Sequence, residues 1–192
     1  PADLSRPHPI LSDPAVRAAI VKALDRRGMV QATFGSWASV PEGPVPQLFW
    51  VRDPGFKPAA ADPTGARAQL GARGWTDGDG DGVLDRDGRP LALTLNYPSQ
   101  DATRGQLALQ IQEQLRQAGI RTEINRLDGP VWVERRNRGE FDLDFAQATM
   151  DPSPAGMVQS WSCAGRGGAN KAYCCNPRVD SLLAHALRAP RK

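Results

Sequence analysis

Asp77, Asp79, Asp81 and Gly82 stand at the spacing D-x-D-x-D-G inside the stretch from Gly74 to Ser99. Carboxylates at every second position, followed by a glycine that can make a sharp turn, form the first half of a calcium loop. Calcium is a hard cation and takes carboxylate and carbonyl oxygens. The second half departs from the pattern: the twelfth position counted from Asp77 is Gly88, where such a loop needs a bidentate Glu. A strand pattern follows instead of a helix. The competing reading is a polar turn, with glycines at positive φ and aspartates accepting from nearby N–H groups, and it is the favoured one. Asp77, Asp79 and Asp81 are kept as metal candidates under the alternative of a calcium-binding structural module. No cofactor is expected, and no metal is expected to be needed for folding.

Cys163, Cys174 and Cys175 could do other chemistry. A nucleophilic cysteine needs a base, and His8 and His185 are the histidines on offer. No signature of a hydrolase surrounds either cysteine of the adjacent pair, so a cysteine-dependent hydrolase is a lesser alternative. Clustered cysteines in a loop point to an oxidising compartment. The histidines are remote from them in sequence, which argues against zinc.

The bulk composition narrows the classes further. The sequence has 192 residues, 40% hydrophobic and 23% charged, enough for one domain with a sizeable core. The net charge is +3 with basic and acidic residues interspersed, and there is no basic run with interleaved aromatics, so nucleic acid is not an expected partner. No apolar run reaches membrane-spanning length. The sequence begins Pro1-Ala2-Asp3 and ends Pro190-Arg191-Lys192, which reads as a part of a longer protein.

The elements that must position these residues follow from caps and periodicity. Ser12-Asp13-Pro14 starts a helix with Val16, Ile20 and Leu24 on its apolar stripe, and a second helical piece ends near Gly35. Residues 36–61 read as a long Pro/Gly-rich loop whose Trp37, Phe49 and Trp50 pack on the domain's own surface. Asp62-Pro63 caps a helix running to Gly74. Leu91, Leu93, Leu95 and Tyr97 share one face of a strand. A helix from Ala102 to Ala118 and a strand from Ile120 to Leu127 complete a βαβ unit, so the two strands are expected to be parallel. A helix from Asp128 to Gly139, a strand carrying Phe141, Leu143 and Phe145, a short helix ending at Trp161 and a last helix after Asn176-Pro177 follow. That last helix is expected to turn Val179, Leu182, Leu183 and Ala186 inward.

Several segments, in order over nearly the whole chain, resemble one family. The run from Asp13 to Arg26, DPAVRAAIVKALDR, is similar to its D-x-x-V-R-x-A-[IL]-x-x-A-[IL]-D-R helix. Gly74-Trp75 with Asp79-Gly-Asp-Gly82 and Asp87-Gly88 is similar to its G-W-x-D-x-D-G-D-G turn. Gln112-Glu-Gln-Leu115, Gly119-Ile120, Gly139-Glu-Phe-Asp142 and Asn176-Pro-Arg-Val-Asp180 also match. The family is the extracytoplasmic solute-binding proteins of peptide-type (oligopeptide, dipeptide and nickel) ABC importers. The resemblance implies an α/β, type II periplasmic-binding-protein-like fold, mainly a parallel sheet flanked by helices. Residues 1–192 would be a single α/β domain, the C-terminal ligand-binding lobe, with the other lobe and a final segment absent. It implies no enzymatic activity, a small-molecule or peptide ligand held between lobes, a membrane permease as partner, a monomer, and a periplasmic or otherwise extracytoplasmic location. Lipid anchoring stays open.

The resemblance also implies site residues. Ligands of such sheets gather at the carboxyl edge, which selects Tyr97, Ser99, Asp128, Thr149 and Asp151. Trp161, Asn170 and Tyr173 follow from the neighbouring cysteine loop. That loop resembles the dipeptide-binding members, which implies a Cys163–Cys174 disulfide with Cys175 free. Asp151 takes the place of the ammonium partner when counted forward from the third strand. Counted back from Pro152, that place falls on Ala148, and Asp151 also reads as a helix cap.

Overall fold

The computed structural model describes residues 7–41, 55, 59–145 and 153–188. Aspartates set its early helix starts. Asp13 accepts from Ala15 N at 2.8 Å and opens α1 (Pro14–Ala23). Asp25 accepts from Gly28 N at 3.0 Å and opens α2 (Arg26–Phe34). Asp62 accepts from Gly65 N at 2.7 Å and opens α3 (Pro63–Gly71). Each carboxylate satisfies an N–H that a helix start leaves without an intrahelical partner. α3 stops at Gly71, short of the expected Gly74, which instead takes a φ of 82° in the turn beyond.

A small antiparallel hairpin, β1 (Asp85–Arg86) with β2 (Arg89–Pro90), leads from the acidic turn into the sheet. The sheet is built from β3 (Ala92–Pro98), α4 (Ala102–Gln117), β4 (Arg121–Leu127), α5 (Gly129–Arg138) and β5 (Leu143–Asp144). Its strand order is β4-β3-β5, all parallel, so the first strand in sequence is the central one. The expected βαβ unit is present, with Ala92 beside Arg121 and Pro98 beside Leu127.

The crossover from β3 to β4 and the one from β4 back past β3 to β5 run in opposite directions, so right-handed connections put α4 and α5 on opposite faces. Alternation along β3 agrees. Leu91 and Leu93 are buried in one cluster with Val16 of α1, Leu70 of α3, Leu115 of α4 and Ile120, and Leu95 on the same face is buried too. Thr94 and Asn96 look the other way, toward the side that α5 covers. That second face is polar inside: Asn96 is buried, donates to Glu140 O at 3.1 Å and accepts from Asn125 Nδ2 at 3.2 Å.

The third strand is shorter than the alternation of Phe141, Leu143 and Phe145 predicts. Its pairing with β3 is limited to Leu95 with Leu143 and Asn96 with Asp144. The reason is a side chain. Asp142 Oδ2 accepts from Thr94 N at 2.7 Å and Thr94 Oγ1 at 2.9 Å, taking the donor that a strand carbonyl would have taken. Its Oδ1 lies 2.8 Å from His8 Nε2. His8 Nδ1 accepts from Ile10 N and Leu11 N, so the ring proton sits on Nε2 and points at Asp142. One carboxylate thereby ties the segment before α1 to the centre of the sheet.

Past the sheet come α6 (Pro154–Trp161), a 3-10 turn (Cys163–Gly165) and α7 (Pro177–Arg188). α7 packs on α6. Two of its four expected inward residues are not inward: Leu182 is 61% exposed and Ala186 is exposed, while Val179 and Leu183 are half-buried. One helical stripe covers α6 and the next, about 100° round the helix, faces out. Trp37, expected to pack on the domain's own surface, does not pack: it is 94% exposed at the end of a 3-10 turn (Gly35–Trp37) that follows α2. Phe49 and Trp50 lie outside the described residues.

Candidate ligand-binding site

The loops after β3 and β4 leave for opposite faces of the sheet, which opens a crevice between adjacent strands at their carboxyl edge. Ser99 and Asp128 meet there. Ser99 N donates to Leu127 O at 2.7 Å, and Ser99 Oγ lies 3.4 Å from Asp128 Oδ1. Arg126 donates through Nε and Nη2 to Ser99 O at 3.3 and 3.0 Å. The loops press close enough that a Cβ on Gly129 would sit 2.6 Å from Gln100 Nε2. Asp128 stands at the N-cap position of α5, yet its side chain makes no capping hydrogen bond and is exposed. Its carboxylate therefore faces the edge, next to a hydroxyl, where a ligand donor could reach it.

The other predicted positions are dispersed. Tyr97 lies on the leucine face, with its ring against α4 at Gly105. Trp161 ends α6 and is 42% exposed. Asn170 is buried and its amide donates to Ser162 O at 3.0 Å and Cys174 O at 2.8 Å, so it holds the cysteine loop together. Tyr173 adopts a φ of 55° with its ring over Gly167. The loop touches α5 through Lys171 Nζ, 3.0 Å from Asn137 Oδ1 in that helix's last turn. That is the end of α5 away from Asp128. Thr149 and Asp151 lie outside the described residues.

The disulfide differs from the expected pair. Cys163 bonds Cys175, with Cα atoms 4.5 Å apart, and Cys174 is a free, exposed thiol. The Asn170 amide accompanies this pairing: it holds the Cys174 carbonyl, next to the bonded Cys175. This arrangement also removes Cys175 as a nucleophile, and both nitrogens of His8 are engaged elsewhere.

A second group at the edge was not selected from the sequence. Asp144 ends β5 with its side chain 6% exposed. It accepts from Trp132 Nε1 at 2.7 Å and lies 3.5 Å from Arg136 Nε. The guanidinium carbons of Arg104 and Arg136 stand 5.4 and 5.2 Å from the Trp132 ring centroid, within cation–π range. A charged residue inside a strand, opposite Leu143, was the available signal. Burial pushes the Asp144 carboxyl above the ordinary carboxylate range, against the opposing pull of Trp132 N–H and Arg136. A raised folded value means a contribution to stability that is present below the unfolded carboxylate value and lost as pH rises through the folded one. Asp144→Asn keeps an acceptor for Trp132 and removes the buried charge. The stability of the native protein relative to Asp144→Asn should therefore fall as pH rises above the ordinary carboxylate range, as read from urea midpoints. A difference independent of pH would show that Asp144 does not titrate this way.

The acidic turn brings oxygens of Asp77, Asp79 and Asp81 within 4.8 Å of one another. Its lone pairs have internal partners. Asp77 accepts from Gly80 N at 2.9 Å, Asp79 from Asp81 N at 3.2 Å and Asp81 from Val83 N at 2.8 Å. Arg67 supplies a cation, 2.9 Å from Asp77 Oδ2, and donates to Gly82 O at 3.1 Å. These contacts are those of the polar turn. An open depression of about 820 Å³ lies on the outer face of α5, lined by Pro130, Val133, Glu134, Asn137 and Arg138. Its walls come from one helix face and exclude Ser99 and Asp128, so it is a surface concavity and not the edge site.

Residues 3–170 match the family described as bacterial extracellular solute-binding proteins, family 5 Middle. The oligopeptide-binding protein AppA of Bacillus subtilis is 30% identical over 156 residues, covering 80% of this chain and 26% of AppA. A probable di/tripeptide-binding protein of Pseudomonas aeruginosa is 33% identical over 191 residues, covering 97% of this chain and 34% of that protein. The solved structure of AppA in complex with a nonapeptide superposes with a TM-score of 0.85 at 25% identity, over 96% of this chain and 37% of that one. The chain thus spans about a third or less of the length of these curated relatives.

Proposed function

Because the chain belongs to the bacterial extracellular solute-binding proteins of family 5, we propose that it is one lobe of the substrate-binding component of an ABC importer, with a peptide or similar small solute held against its carboxyl edge. The observation that carries this reading is the meeting of Ser99 and Asp128 in the crevice between β3 and β4. A hydroxyl and an uncapped carboxylate there suit the backbone N–H and ammonium groups of a peptide. The remaining two-thirds of a relative's length leaves room for a second lobe that closes over the ligand. The protein is a binding component and not an enzyme. The family is extracytoplasmic, and the Cys163–Cys175 bond suits an oxidising compartment. A membrane permease is the partner in this reading. Among the described residues no helix is long and apolar enough to cross a membrane.

In this reading the ammonium partner is Asp151, and Ser99 and Asp128 serve the peptide's other donors. Titrations with peptides carrying free or acetylated amino termini test it, on the two-lobed polypeptide and on this chain alone. Asp151→Ala should weaken the free-amino peptide about tenfold, roughly 1.4 kcal/mol, and leave the acetylated one unchanged. Equal losses for both peptides would remove Asp151 as the anchor. The isolated chain should bind far more weakly, since a ligand site encloses its ligand from more than one side. Equal, tight binding by both polypeptides would overturn the two-lobe reading.

A further inference from the structure

We propose that the cysteine loop exists as two disulfide isomers, and that the free thiol of Cys174 converts one into the other by displacing Cys175 from Cys163. Cys174 is exposed and adjacent in sequence to a bonded cysteine. Consecutive Cα atoms are about 3.8 Å apart and Cys175 Cα is 4.5 Å from Cys163 Cα, so Cys174 Cα lies no farther than about 8.3 Å from Cys163 Cα. The exchange needs the segment after Tyr173 to bring that separation within the usual disulfide range of about 4.4–6.8 Å. The segment carries no regular structure, and its fixed points are the Asn170 bond to Cys174 O and the left-handed backbone of Tyr173.

The step is balanced within the chain. The Cys174 thiolate attacks Cys163 Sγ, the Cys163–Cys174 bond forms, and the Cys163–Cys175 bond breaks. The electron pair leaves on Cys175 Sγ, which takes up a proton. One disulfide and one thiol stand on each side, so no oxidant or reductant is consumed. Attack on Cys175 Sγ would instead give a bond between adjacent residues and strain the peptide between them, which directs the exchange to Cys163. Bringing Cys174 to the place of Cys175 turns the Cys174 carbonyl away from Asn170 and forces Tyr173 out of its φ of 55°. The exchange therefore moves Tyr173 away from Gly167 and breaks the Asn170 bond to Cys174 O, leaving the Asn170 bond to Ser162 O. None of this rests on the ligand reading.

The test uses the unsubstituted chain without added thiol. Samples held near pH 5 and about pH 8.5 are quenched in acid, alkylated, digested without reduction and mapped. At the lower pH the label should sit on Cys174. At the higher pH, where more thiolate forms, label should appear on Cys175, and a Cys163–Cys174 linked peptide should reach roughly a tenth of the molecules or more. The rate should not change on tenfold dilution of the protein. Label confined to Cys174 at every pH would overturn the proposal, as would a rate that scales with protein concentration.

Discussion

Asp142→Ala should destabilise the protein by about 2 kcal/mol, the loss expected when several half-buried donors to a charged acceptor are left without a partner. The substitution strips an acceptor from Thr94 N, Thr94 Oγ1 and His8 Nε2 together. Thr94 N is the critical donor. It belongs to the central strand, and β5 supplies no carbonyl at that level. Asp142→Asn separates charge from geometry. Its oxygen can still serve Thr94, but its NH2 then faces His8 Nε2–H, and the ring cannot switch tautomer because Nδ1 already accepts from Ile10 N and Leu11 N. The amide variant should fall about midway between the native protein and Asp142→Ala. Urea denaturation of the three proteins decides it. An amide variant as stable as the native protein would mean that the bonds to Thr94 alone hold this junction.

Leu93→Ala should cost about 3–5 kcal/mol, from the lost transfer free energy and the cavity left behind. Leu93 is 1% exposed, at the centre of the layer that joins β3 to α1, α3 and α4. The comparison is Leu182→Ala on α7, where the side chain is 61% exposed and the change should stay within about 0.5 kcal/mol. Guanidinium midpoints of the two variants give the contrast. Similar losses at both positions would mean that α7 buries its outer stripe in solution.

The two leucines also show what was legible in the sequence. Leu93 sits in a period-two pattern between turn signals, and the pattern alone assigned its face. Asp13 and Asp62 each precede a helix and cap it, a signal confined to a few residues. Leu182 has equally clear periodicity, yet a helix's period says which residues share a stripe and not which stripe meets a neighbour. The length of β5 was illegible for a related reason: Asp142 and Thr94 are 48 positions apart, and a side chain there replaces a strand carbonyl. The cysteine pairing was a detail of the same kind, since either of two adjacent residues could meet Cys163 and the bond goes to Cys175. At the carboxyl edge, the nearness of Ser99 and Asp128 follows from the βαβ topology, which the strand–helix–strand pattern predicts. Asp144 with Trp132 was missed because alternation marks a strand's outward positions as polar without showing that a helix covers them.

The strand order has a consequence for how the chain comes to be folded. β3 is central, but it is synthesised before either neighbour, so both of its edges are bare until β4 and then β5 emerge. A bare apolar strand invites pairing with another molecule, and parallel neighbours reached through helices arrive slowly. The chain brackets this strand with Arg89-Pro90 on one side and Pro98 on the other, residues that resist extension of a foreign ladder. His8 waits longer still, since its partner Asp142 follows 134 positions later. The link between the first segment and the sheet thus closes only after β4 has emerged, on a strand whose second edge has had to stay bare until then.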